Sequence, residues 1–90
     1  MRIAFRVHGA VQGVGYRRFV ERAAQALDLA GWVRNEPSGT VCGEVQGPET
    51  ALKTFRERLA EGPAFAAVER LDWTGLDMRS SFPRTFEIRR

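Results

Sequence analysis

Cysteine occurs once in this chain, at Cys42, which excludes an internal disulfide and a cysteine-based zinc site. Histidine also occurs once, at His8, and no group of acids falls around it at ligand spacing, so no metal is expected. Lysine is nearly absent: Lys53 is the sole exception among 14 basic residues, the rest being arginine. No apolar run approaches the ~18 residues of a membrane span. "MRIAFRVHG" is too short and too charged for the apolar core of a signal peptide. No membrane partner is expected, and a cytoplasmic, reducing location is. No internal repeat, low-complexity segment or linker divides the sequence.

What is present suits one globular domain over residues 1–90, with 43% apolar and 28% charged residues. A chain of this size buries roughly 60–65% of its unfolded surface, enough for one modest core. The net charge is +3, carried by a residue type whose planar fork matches phosphate and carboxylate. Acids nevertheless alternate with bases through "RERLAEG" and "ERLD". That is a mixed solvated surface rather than a nucleic-acid stripe, so nucleic acid is not expected as a partner.

"RIAFRVH" alternates, with Ile3, Phe5 and Val7 on one side and Arg2, Ala4, Arg6 and His8 on the other, as in a half-buried strand. The period then changes. Tyr16, Phe19, Val20, Ala23, Ala24 and Leu27 share one helical face, and Gly31 is placed to end that helix. "GWVRN" and "TVCGEVQG" read as a hairpin about the turn "EPSG". Leu52, Phe55 and Leu59 mark a second helix between "GPET" and "EGP". "VERLDWTG" and "RTFEIRR" read as two last strands. The order βαββαβ plus a C-terminal strand predicts an α+β, two-layer sandwich of ferredoxin-like kind. It has a mostly antiparallel sheet with two helices on one face. The other face would meet water, which suits Arg2, Arg6, Glu44 and Glu87.

Between the first strand and the first helix lies "GAVQGVGYRR", residues 9–18, with three glycines in seven residues and then two arginines. Backbone N–H groups at a helix start, with glycines that let them converge, form an anion nest. Known nucleotide motifs do not fit, since Tyr16 and Arg17 follow Gly15 where Lys and Ser or Thr are needed, and Arg18 stands where a dinucleotide loop has glycine. A bare tight turn would explain the glycines alone. Arg17 tips the balance, because a cation in the first helical turn opposes the dipole unless an anion sits above it. Arg18 reads as a surface residue.

"VHGAVQGVGYRR" followed by "GWVRNEPSGTV" closely resembles the two signatures of acylphosphatase, and the resemblance covers essentially the whole chain. It implies the sandwich fold, with the phosphate loop and Asn35 on neighbouring strand ends. It also implies hydrolysis of the carboxyl–phosphate anhydride of a small acyl phosphate, without metal or cofactor; a monomer is expected. Carried over, the loop Val11, Gln12, Gly13, Val14, Gly15, Tyr16 and Arg17 supplies backbone N–H groups to the phosphate. Arg17 binds its oxygens, and Asn35 holds the attacking water. The resemblance further brings the chain's end towards Arg17.

The chemistry is coherent by itself. A carboxylate is a good leaving group, so no strong general acid is needed. Phosphoryl transfer of this type rests on positioning and charge stabilisation. Preorganised N–H donors and a bidentate arginine meet that demand. Asn35 can accept from a water and donate to one, without acting as a base. Glu36, next along the strand, is expected to face away from the phosphate. His8 reads as an exposed strand residue, Cys42 as a strand filler, and Trp32 and Trp73 as packing groups. Two other readings use the same fold. One is a non-catalytic carbamoyl-phosphate module, such as occurs inside larger hydrogenase-maturation proteins whose further domains this chain lacks. The other is an RNA-binding module, favoured by fold and charge alone.

Overall fold

The computed structural model describes residues 1–78 and 81–90. Strand β1 (Arg2–Ala10) leads through the glycine loop into α1 (Tyr16–Ala26). The hairpin β2 (Ala30–Asn35) and β3 (Val41–Gln46) follows, then α2 (Glu49–Glu61), β4 (Ala67–Leu76) and the short β5 (Phe86–Ile88). The five strands form one sheet in the order β4-β1-β3-β2-β5. Pairing is antiparallel except where β5 lies parallel to β2. This is the expected α+β sandwich, with the last strand added beside β2.

The sheet's two faces follow from the strand period of two. Phe5, Gly43 and Val33 stand in one cross-strand row, and Val7, Val41 and Asn35 in the next. Ile3, Phe5, Val7, Val33, Val41 and Val45 are buried against Val20 and Ala24 of α1 and Leu52, Phe55 and Leu59 of α2. Phe55 is the centre of the aromatic packing. Its ring lies 5.8 Å from Phe5, 6.0 Å from Phe86 and 6.4 Å from Trp73. Truncating such a ring to alanine costs ~3–5 kcal/mol.

Three details differ from the sequence reading. The first helix does not run on to Gly31. It ends at Ala26, with Leu27 as its cap and then Asp28, whose φ of 55° is left-handed. Leu29 N–H donates to the Ala24 carbonyl at 2.9 Å and Asp28 N–H to that of Gln25 at 3.1 Å. These are the paired bonds of a Schellman ending, with Leu29 buried as its apolar contact. Gly31 belongs to β2 instead, where a Cβ would meet the Glu44 carbonyl oxygen of β3. Secondly, Arg2 does not face water. It is buried, its Nε donates to Gln46 Oε1 at 2.9 Å, and the Phe82 ring lies 4.1 Å from its guanidinium. Phe82, which follows β4, covers that corner of the outer face. Thirdly, the strands that carry the loop and Asn35 are not adjacent. β3 lies between β1 and β2, which run parallel and end on the same side.

Candidate active site

The glycine loop leaves β1 at that shared end. Val11 anchors it: the side chain is buried, and its N–H donates to the Gly9 carbonyl at 3.1 Å. The loop then turns through Gly13 and Gly15, whose φ angles are 74° and 79°. A Cβ at either would meet no atom within 4 Å, so backbone conformation rather than crowding calls for glycine. Gly15 is the N-cap of α1, and no side chain caps it. No acid stands in the first turn. Among the described residues, the N–H groups of residues 12–18 find no acceptor within the chain. A set of unpaired donors at a helix start is an anion site in waiting.

Tyr16 contributes its backbone only. Its side chain points inward and is buried, and the hydroxyl donates to the Leu59 carbonyl at 2.7 Å. In a continued helix that carbonyl would receive the N–H of residue 63, but Pro63 has none. The Tyr16 hydroxyl therefore caps α2 while its peptide group opens α1. Burial holds its pKa well above the ordinary phenol value of 10.0.

Gln12 has a role that the sequence did not disclose. Its side-chain Nε2 donates to the Glu36 carbonyl at 2.8 Å and to the Thr40 carbonyl at 2.9 Å. One amide thus ties the loop to the first and last residues of the β2–β3 turn. That turn closes on itself through Glu36 N–H to the Thr40 carbonyl at 2.8 Å and Gly39 N–H to the Glu36 carbonyl at 3.0 Å.

Asn35, immediately before the turn, lies on the helix-bearing face with Val33 and Gly31. Its Oδ1 is buried and bonds no other group among the described residues. A buried acceptor left unpaired costs ~1–3 kcal/mol. Asn35 shares a cavity of about 400 Å³ with Val11, Gly13, Gly15, Tyr16, Arg17 and Arg18, and Ile88 and Arg90 close its far side. Arg17 is half-buried there and makes no ion pair among the described residues. The chain's end therefore reaches the site, through the parallel register of β5 on β2 and the bond from Arg89 N–H to the Val33 carbonyl at 2.8 Å. It does not pair with Arg17.

Glu36 points to the opposite face. It accepts from Cys42 Sγ at 2.6 Å and Arg6 Nη2 at 3.3 Å, with Arg34 3.8 Å away. The Cys42 and Arg6 hydrogen bonds hold its carboxyl below the usual range. Burial, then Glu36, raises the Cys42 thiol. His8 is on that face too, its Nε2 2.8 Å from Asp72 Oδ2 and 3.1 Å from Arg70 Nη2. A larger hollow of about 760 Å³ over the outer face, lined by Arg6, Arg34 and Asp72 among others, contains neither Arg17 nor Asn35.

The sequence profile of the acylphosphatase family matches residues 3–88. This chain belongs to the acylphosphatase family. As a member it is a hydrolase of acyl phosphates, splitting the anhydride into a carboxylate and inorganic phosphate. It is 45% identical over 89 residues to an acylphosphatase of Salinibacter ruber, covering 99% of this chain and 93% of that one. The crystal structure of acylphosphatase from Bacillus subtilis superposes with a TM-score of 0.91 at 36% identity, over 99% of this chain and 98% of the other. Full-length HypF in its phosphate- and nucleotide-bound form contains a similar region. The TM-score is 0.87 at 30% identity, over 97% of this chain and 11% of HypF.

Proposed function

We propose that this acylphosphatase acts through the cavity between the glycine loop and Asn35, by direct attack of a positioned water on phosphorus. The observation that carries the reading is the buried, unpartnered Oδ1 of Asn35, in the same cavity as Arg17 and the unpaired loop amides. With the Val11 amide tied to Gly9, the donors left for the phosphate are those from Gln12 to Arg17. Arg17 binds the same oxygens through its fork, charge-assisted and bidentate. Both groups are in place before the charge redistributes, as electrostatic stabilisation requires. Asn35 Oδ1 accepts from the water and fixes its line of approach. The P–O bond to the carboxylate breaks as the water oxygen joins phosphorus. The carboxylate departs with its own electron pair and needs no proton at neutral pH. The water's proton passes to a phosphate oxygen.

The same reading describes one domain over residues 1–90, working as a monomer in the cytoplasm without metal or cofactor. Supporting the single domain, one apolar core joins both helices to the sheet. No helix among the described residues is long and apolar enough to cross a membrane. No three His, Cys, Asp or Glu side chains among them come together as metal ligands. The test is phosphate release from benzoyl phosphate by purified protein after exhaustive chelation. Full activity is expected, and activity restored only by a divalent cation would refute the metal-free reading.

A further inference from the structure

A second concavity adjoins the proposed catalytic one. It lies between α1 and α2, holds about 470 Å³, and shares Gly15 and Arg18 with the first. Its floor is apolar, made by Phe19, Ala23 and Pro63. Three arginines edge it: Arg18 and Arg22 from α1 and Arg58 from α2. No acid lines it, and none of the three makes an ion pair among the described residues.

Folding accounts for only one of these charges. Arg58 is in the last turn of α2, where the helix dipole favours a cation. Arg18 is in the first turn of α1, where the dipole opposes it. Arg22 follows one turn later on the same side, and like charges at that spacing repel. Glu21 and Glu61 are close in sequence but take no part in the lining. An apolar floor edged by unpaired cations fits a ligand with an apolar body and an anionic end.

We propose that this groove receives the acyl part of the substrate and selects acyl phosphates that carry a second anionic group, a carboxylate or a phosphate. The inference rests on the catalytic reading above. The reacting phosphate lies at the loop, the apolar body covers Phe19 and Ala23, and the distal anion meets Arg22 and Arg58. Arg22 is seven residues beyond Gly15, about 10 Å along the helix axis. Short acyl groups such as acetyl leave that end of the groove unused.

Benzoyl phosphate and 4-carboxybenzoyl phosphate make the test. The para ring separates the two anions and prevents the free carboxylate from attacking its own anhydride. At low ionic strength kcat/KM should favour the carboxylated substrate by roughly tenfold, a preference that salt screens. In the double variant Arg22→Gln, Arg58→Gln the ratio should fall to about one. Benzylphosphonate and 4-carboxybenzylphosphonate, titrated by calorimetry, should show the same difference without turnover. A ratio of one or less in the wild type, or a ratio that the double variant leaves unchanged, overturns the proposal. A 4-phosphonobenzoyl analogue separates the two anion classes, since preference for either supports the groove and preference for neither refutes it. Failure to hydrolyse either acyl phosphate would count against the catalytic reading, while the phosphonate pair still decides the groove.

Discussion

The side-chain amide of Gln12 holds the Glu36 carbonyl at 2.8 Å, so the residue after Asn35 is fastened to the loop that precedes Arg17. With the second bond to Thr40, the glycine loop and the turn that follows Asn35 are tied together, although β3 separates their strands. Gln12→Ala removes both bonds at a net cost of ~1–2 kcal/mol, since both carbonyls keep a backbone partner. Its urea midpoint should fall accordingly, and kcat should fall by roughly tenfold because the two halves lose their relative position. Gln12→Glu should be worse on both counts, as a carboxylate would face two carbonyl oxygens.

Gly13 and Gly39 both have positive φ, 74° and 98°, and a Cβ at either meets open space. Alanine at each should therefore cost a similar ~1–2 kcal/mol of backbone strain. Their functional effects should differ. Gly13→Ala should weaken competitive inhibition by inorganic phosphate, because in the proposed binding mode the Cβ would stand in the anion's approach. Gly39→Ala, in the hairpin turn, should leave the inhibition constant near wild type.

Tyr16→Phe separates backbone from side chain within the loop. Losing the bond to Leu59 leaves a carbonyl that Pro63 cannot serve, at ~1–2 kcal/mol. For a domain of this size that lowers Tm by roughly 4–8 °C or somewhat more. The KM for benzoyl phosphate should not change, because the hydroxyl points into the core rather than at the phosphate.

His8 and Asp72 give the pH dependence. The His8 hydrogen bond, with Arg70 adding to it, holds the Asp72 carboxyl below its ordinary 3.8. A carboxyl whose folded pKa is depressed stabilises the fold above the unfolded value and loses that contribution as pH falls through the folded one. Wild type should therefore exceed Asp72→Asn in urea resistance at pH 6 and lose the advantage below about pH 4. His8→Asn should keep most of its activity, and base-quenched reactions should yield no phosphohistidine.

The features legible in the sequence are those set by short-range periodicity. Ile3, Phe5 and Val7 announce β1 by alternation, and Tyr16, Val20, Ala23 and Ala24 announce α1 by helical spacing. The loop is legible because glycines, an uncapped helix start and Arg17 are contiguous. Gln12's role is not, since its acceptors lie 24 and 28 residues away and an amide side chain names no partner. Gly31 misleads as a helix stop because an aspartate, Asp28, takes the left-handed position three residues earlier. Arg2 misleads because strand alternation reports which face a side chain takes, not what covers that face; Phe82 does so from 80 residues away. The groove of Arg18, Arg22 and Arg58 requires two helices to be packed before it exists.

The central claim is that Asn35 serves the water and Arg17 the phosphate, and steady-state kinetics of two folded variants on benzoyl phosphate test it. Asn35→Ala should lower kcat by roughly 10²–10³ and change KM and the inhibition constant for phosphate by less than about threefold. Arg17→Ala should lower kcat/KM at least as much and also weaken phosphate inhibition, with Arg17→Lys recovering only part. An Asn35→Ala enzyme that keeps its kcat while its KM rises, or an Arg17→Ala enzyme with wild-type turnover, would contradict the account.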